Sequence, residues 1–187
     1  MTSAQIKEIQ SKIGTTPDGF WGPKSIAACK KHLRGLGAGK DAPSTDQASL
    51  TKAYGKAGDE SQLVNLDVTG LGVKYEGKAV KTIRCNITVA ESLKKVIVDL
   101  SKFPKGQEAL AQYAGCYNNR PMRGGSLPSL HARGAAIDLM AGTNQLKQSW
   151  PMSANMPFEV MEVFASHGWI AAGAFWGYDG MHYQKTK

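Results

Sequence analysis

The chemistry this chain can offer rests on a few histidines and acids. His131 lies in Ser129-Leu130-His131-Ala132-Arg133-Gly134-Ala135-Ala136-Ile137-Asp138, a polar loop that runs into an apolar stretch. Asp138 falls inside that stretch, where a carboxylate is costly to bury unless it is paired or bound to a metal. Gly134 lets the backbone turn tightly between the two. A second cluster, Trp176-Gly177-Tyr178-Asp179-Gly180-Met181-His182-Tyr183, puts an acid three residues before a histidine. Two imidazoles and one carboxylate make the three-ligand set of a catalytic zinc site, with a fourth position open for water. Asp179 is then a base beside the metal rather than a ligand. The same spacing also allows Asp138 a salt bridge to Arg133 or Arg123, with the two histidines in unrelated places. His32, on a basic helix, reads as solvated or half-packed. His167 ends a helix, where a cation meets the negative end of the macrodipole.

These residues must be positioned by elements the sequence outlines. Ile6, Ile9 and Ile13 recur at helical spacing, and Gly14 to Gly19 is turn chemistry. A second helix opens at Pro23, carries Ile26, Cys29, Leu33 and Leu36 inward, and stops at Gly35 or Gly37. Residues 37–48 read as a linker, and a short helical turn follows near Ser49–Tyr54. Lys81 to Ile87 alternates as a half-buried strand. Thr88 and Glu91 form a capping-box pattern opening a strong helix that runs to Phe103, where Pro104 interrupts. Short strands are expected at 113–117, 135–140, 168–173 and 180–184, with a helix from Pro157 to His167 and Gly168 as its stop. That order predicts an α+β fold with an antiparallel sheet.

Composition narrows the function classes. The 187 residues are 42% hydrophobic and 20% charged, a globular balance that argues against wholesale disorder. No stretch approaches the ~20 apolar residues that span a bilayer, so no membrane insertion is expected. Three cysteines, Cys29, Cys85 and Cys116, form no CxxC pair and read as buried free thiols. The net charge of +8 is uneven: residues 1–40 hold seven basic and two acidic side chains. Such an excess suits an anionic surface, whether nucleic acid, membrane or bacterial envelope. Nucleic acid is disfavoured, because no basic helix with base-reading side chains and no aromatic stacking platform is evident. A muramidase is disfavoured too, because no isolated carboxylate pair remains beyond the acids already claimed.

The pattern SxHxxGxAxD at Ser129, His131, Gly134, Ala136 and Asp138, followed by Asp179-Gly-Met-His182, resembles the M15 family of zinc peptidases. That resemblance covers roughly residues 50–187. It implies a Hedgehog-like catalytic domain and one Zn²⁺ held by His131, Asp138 and His182. It also implies Asp179 as the acid–base residue and an upstream arginine for the oxyanion. Arg120 and Arg123 both qualify by position; Arg120 is preferred because Arg123 precedes two glycines. Ser129, Arg123 and Trp176 are expected to contact substrate, with Tyr178 walling the cleft. An aspartate at 179, where many members carry Glu, fits the endopeptidase branch.

The N-terminal Ile9-Gln10, Ile13-Gly14 and Asp18-Gly19-Phe20-Trp21-Gly22-Pro23 resemble a small helical peptidoglycan-binding domain, with Asp18, Phe20 and Trp21 as its contact residues. Phe20 and Trp21 serve equally as a plain core plug. The expected organisation is a wall-binding module at 1–38, a linker at 39–48 and a catalytic domain at 49–187. Together the two resemblances point to a phage endolysin: a monomer that binds and cleaves bacterial peptidoglycan at L-alanyl-D-glutamate. No basic n-region with an apolar core opens the chain, so the expected location is the host cytoplasm, with release through holin-type lesions. The alternatives are a D-alanyl-D-alanine carboxypeptidase of the same family and a non-catalytic, zinc-containing wall-binding protein.

Overall fold

The computed structural model describes residues 1–187. Helix α1 (Ser3–Lys12) starts on a capping box formed by Thr2 and Gln5. Helix α2 (Pro23–Leu36) begins with proline at its first position and ends at Gly37, whose φ of 122° suits only glycine. The turn between them is knotted by the buried Gln10. Its amide nitrogen donates to Asp18, Ser25 and the Phe20 carbonyl, and its oxygen accepts from Gly19 N. Helix α3 (Gln47–Tyr54) is capped by Asp46.

Strands β1 (Leu63–Asp67) and β4 (Thr82–Asn86) pair antiparallel, and β2 (Lys74–Tyr75) with β3 (Lys78–Ala79) makes a small ribbon between them. Helix α4 (Ile87–Leu100) buries Val89, Leu93, Val96, Ile97 and Leu100. Its cap is Asn86, two residues before the expected Thr88. The Asn86 Oδ1 accepts from Thr88 N and Thr88 Oγ1, so the asparagine takes the capping role and the helix opens earlier. Pro104 does not merely interrupt: it stands first in a further helix, α5 (Pro104–Leu110), where its missing N–H costs nothing.

The second sheet has four strands and holds Asp138 and His182. Strands β5 (Tyr113–Gly115), β6 (Ala136–Leu139), β7 (Ile170–Ala171) and β8 (His182–Gln184) lie antiparallel in the order β5-β6-β8-β7. Helix α6 (Phe158–Ser166) matches the expected element, with Gly168 just beyond it at positive φ. The strand expected over 168–173 is shorter, because the small residues from Ala172 turn into helix α7 (Ala172–Trp176). The architecture is α+β, with small antiparallel sheets among seven helices. No helix is long and apolar enough to cross a membrane.

One apolar core runs through the molecule, joining Ile9, Cys29 and Leu33 to Leu93, Ile137, Phe164 and Trp169. Helix α2 packs on α6 and α7. Polar ties reinforce it: Glu162 takes Lys12 at 2.5 Å and His32 at 2.8 Å, and Arg34 stacks over Phe175. Residues 39–48 run against the C-terminal segment, with Gly39 N on Gly168 O (3.2 Å) and Lys187 N on Pro43 O (2.9 Å). All three cysteines are buried and free.

Candidate metal centre

Pairing between β6 and β8 sets the first part of the site. Asp138 and His182 are direct cross-strand partners, so their side chains stand side by side on one face. A slip of one residue would send Asp138 to the other face. His131 arrives from the short 3₁₀ turn Leu130–Arg133, capped by Ser129, whose Oγ accepts from His131 N at 3.3 Å. Gly134 closes that turn at φ 66°. A methyl group there would meet Asn86 N and Leu63 Cδ2 at 2.8 Å, so the turn packs against β4 only because the residue is glycine.

The three side chains converge. His131 Nε2 lies 3.1 Å from His182 Nδ1 and 3.2 Å from Asp138 Oδ1; His182 Nδ1 lies 3.0 Å from Asp138 Oδ1. A tetrahedral ion with donors at about 2.0–2.1 Å has donor–donor edges of about 3.3 Å, so the triangle fits zinc. The far ring nitrogens have fixed partners. His131 Nδ1 donates to the Cys116 carbonyl at 2.6 Å, and His182 Nε2 to Gln184 Oε1 at 3.1 Å. The Gln184 amide is oriented by donating its NH₂ to Thr186 Oγ1 at 2.6 Å. With each ring's proton held on the far side, both inner nitrogens turn lone pairs toward a carboxylate oxygen. Three lone pairs at this distance repel unless a positive charge sits among them. Such outer hydrogen bonds are what fix the tautomer of a metal-bound histidine.

The electrostatics agree. Burial pushes the Asp138 carboxyl up, but the hydrogen bonds and charges of His131 and His182 outweigh it and hold the group well below the usual carboxylate range. Burial pushes the His182 imidazole down, and Asp138 more than reverses it, leaving it raised. Both directions favour positive charge within the triangle. Arg133 takes no part: it turns away to Gly55 O, Gln47 and Thr51. A salt bridge from Asp138 to Arg133 or Arg123 is therefore not formed.

Asp179 lines the same cleft and is strained twice. It is a non-glycine residue at φ 58°, and its buried Oδ1 has no hydrogen-bond partner. Burial is the main cause raising its carboxyl; the Asp138 charge adds to this, while His182, Arg123 and His131 oppose it. An unpartnered carboxylate oxygen in the same cleft as three converging donor atoms is free to accept a proton.

Arg120, Arg123, Ser129, Trp176 and Tyr178 line the cleft with the triangle. Trp176 stacks on the His182 ring at 5.7 Å. Arg120 is half-buried and donates to Pro121 O at 3.2 Å; Arg123 is exposed. Asp18, Phe20 and Trp21 lie elsewhere, on the α1–α2 turn. Asp18 accepts from Phe20 N, Phe20 is 72% exposed, and Trp21 packs edge-on against Trp150 at 5.2 Å. The sequence reading missed the supporting residues Cys116, Gln184 and Thr186. Gln184 carried a faint signal, a polar residue two positions past a ligand on the same strand face.

Residues 123–185 match a peptidase family described as D-alanyl-D-alanine carboxypeptidase. The match supports an M15 peptidase. It takes in Arg123, Ser129, Asp179 and all three residues of the triangle, and leaves out Arg120 and the first 122 residues. No curated protein and no solved structure matches the chain. M15 peptidases are generally zinc-dependent, and the histidine–aspartate–histidine group is the one set in the molecule grouped to hold a metal ion.

Proposed function

We propose that this chain is a zinc-dependent peptidase that hydrolyses the L-alanyl-D-glutamate bond of murein stem peptides and so lyses bacterial walls as an endolysin. The observation that carries the reading is the partnerless Asp179 oxygen beside three converging donors. A wall-binding protein that needed zinc only for its fold would have no use for a half-buried carboxylate with an unpartnered oxygen there.

His131, Asp138 and His182 hold the ion in this reading. Zinc bound there supplies Lewis acidity toward the scissile carbonyl and lowers the pKa of bound water to about 7. Asp179 takes the proton of the attacking water and returns it to the leaving amine. Arg120 donates to the oxyanion as it forms. Arg123 offers a planar fork to a substrate carboxylate, Trp176 walls one side of the cleft, and Ser129 holds the His131 turn. Phe20, Trp21 and Asp18 form the wall-contacting part of the N-terminal helices. The basic excess of residues 1–40 favours approach to anionic envelope polymers. The protein acts as a monomer, made in the host cytoplasm and released through membrane lesions.

The description of the matching family favours a second reading, removal of a terminal D-alanine. Mass spectrometry of muropeptides separates the two. A new N-terminal D-glutamate (or isoglutamine) marks the endopeptidase, and loss of terminal D-alanine marks the carboxypeptidase. In the same assay Asp179→Ala is expected to keep its zinc and lose hydrolysis by at least about 100-fold, whereas His182→Ala loses both. Full activity in Asp179→Ala removes the role given to that carboxylate.

A further inference from the structure

The strained turn that carries Asp179 is gripped from outside the metal centre, by the loop spanning residues 140–156. The grips fall on both sides of Asp179. Upstream, Trp150 N donates to Gly177 O at 3.1 Å, and Ser149 bridges to Tyr178. Downstream, Met181 N donates to the Asn144 carbonyl at 3.0 Å. The loop in turn is closed on itself by the Asn144 side chain, which is fully buried. Its Nδ2 reaches Met140 O (3.1 Å), Thr143 Oγ1 (3.0 Å) and Asn155 Oδ1 (3.0 Å). Its Oδ1 accepts from Asn155 N (2.9 Å) and Met156 N (2.6 Å).

Gly180 is seated directly against this amide. A Cβ on Gly180 would lie 3.1 Å from Asn144 Oδ1 and 3.4 Å from Asn144 Cβ. Helix α7 also approaches it closely: a Cβ on Gly173 would lie 3.1 Å from Gly180 Cα. The residue after Asp179 is thus clamped between helix α7 and Asn144. A left-handed aspartate persists only where its surroundings over-determine it, and Asn144 is the one side chain that joins the loop's two ends at the point where the turn rests.

We infer that Asn144 is a positioning residue for catalysis: through Gly180 and Met181 it holds the Asp179 carboxylate in its strained place in the cleft. This rests on the reading of Asp179 as the base. Displacing a catalytic group by about 1 Å can cost about 100-fold in rate, while substrate contacts elsewhere in the cleft are left alone. The signature is therefore a loss in kcat rather than a change in KM.

The test uses the full-length, zinc-loaded protein carrying Asn144→Ala, Gly180→Ala or both, with Asp179→Asn alongside. Each single variant is expected to lose kcat by about 10- to 100-fold, with KM within about twofold and zinc content equal to the parent. Amide exchange over 177–182 should rise while that of Ile87–Leu100 stays at the parent level. A side chain that merely stabilised its own loop would leave 177–182 protected. The two substitutions should also be non-additive, because the methyl of Gly180→Ala enters the space that Asn144→Ala vacates. Should Asn144→Ala not fold, Gly180→Ala carries the same kcat and exchange readouts. Parent-like kcat and exchange in the folded variants overturn the inference, as does a loss that follows zinc content or KM. Full activity in Asp179→Asn sinks the base reading itself, and the inference with it. Inactive Asp179→Asn with parent-like Asn144→Ala sinks the inference alone.

Discussion

At the scale of single residues, the site is a problem in charge. Three electron-rich atoms sit within 3.2 Å of one another, and the two outer ring nitrogens are committed to carbonyl acceptors. Hydrogen bonds and charges within the triangle hold Asp138 low and His182 raised, so metal-free protein favours a proton there, and a divalent cation would compete with it. Zinc binding to metal-free protein at neutral pH should therefore release about one proton, and affinity should rise with pH as competition for the triangle falls. Titration calorimetry in two buffers of different ionisation enthalpy measures it; no proton release would show that the triangle is empty of protons before the metal arrives.

At the scale of elements, the ligands depend on a strand register and on one turn. β6 and β8 present Asp138 and His182 as direct partners, and the capped 3₁₀ turn brings His131 over them. Gly134 ends that turn against the backbone of Cys85 and Asn86, and its carbonyl accepts from Asn86 N at 2.9 Å. Gly134→Ala adds a left-handed alanine and a contact that backbone cannot yield. A loss of about 3 kcal/mol in stability is expected, together with weaker zinc binding, measured by urea unfolding and metal competition. Parent-like unfolding would mean that the turn relocates without cost.

At the scale of the whole molecule, the N-terminal helices share one apolar core with the rest of the chain. Ile6, Ile9 and Leu33 are buried, and fully burying each is worth about 1.5–3 kcal/mol. Together that is comparable with the net stability of a typical domain, about 5–15 kcal/mol. A chain beginning at residue 39 should melt far below the full-length protein, or fail to melt cooperatively, by circular dichroism. A fragment with the full-length melting temperature would show two units that fold separately.

The sequence alone determined what depends on local order. Helical spacing outlined α1, α2, α4 and α6, because an apolar stripe at that period has one way to be buried. The meeting of His131, Asp138 and His182 was legible because a carboxylate in an apolar strand demands a partner, and because the motif around His131 and His182 has a fixed spacing. Strand β1, helix α7 and the cap of α4 were not legible. Short elements carry too few periods to announce themselves, and Asn86, which takes the cap, is also held by donating to Tyr54 O and Arg133 O, both distant in the chain. The glycine, proline and serine of residues 37–48 read as a linker because composition does not report what a segment lies against. Tertiary structure alone decided that Arg133 turns away from Asp138, that Gln184 fixes the His182 ring, and that Asn144 reaches the turn of Asp179. The first and the last are meetings of residues distant in the chain, which follow from the packing of whole elements; the second is local in sequence, but the ring it fixes matters only because His131 and Asp138 are brought to it.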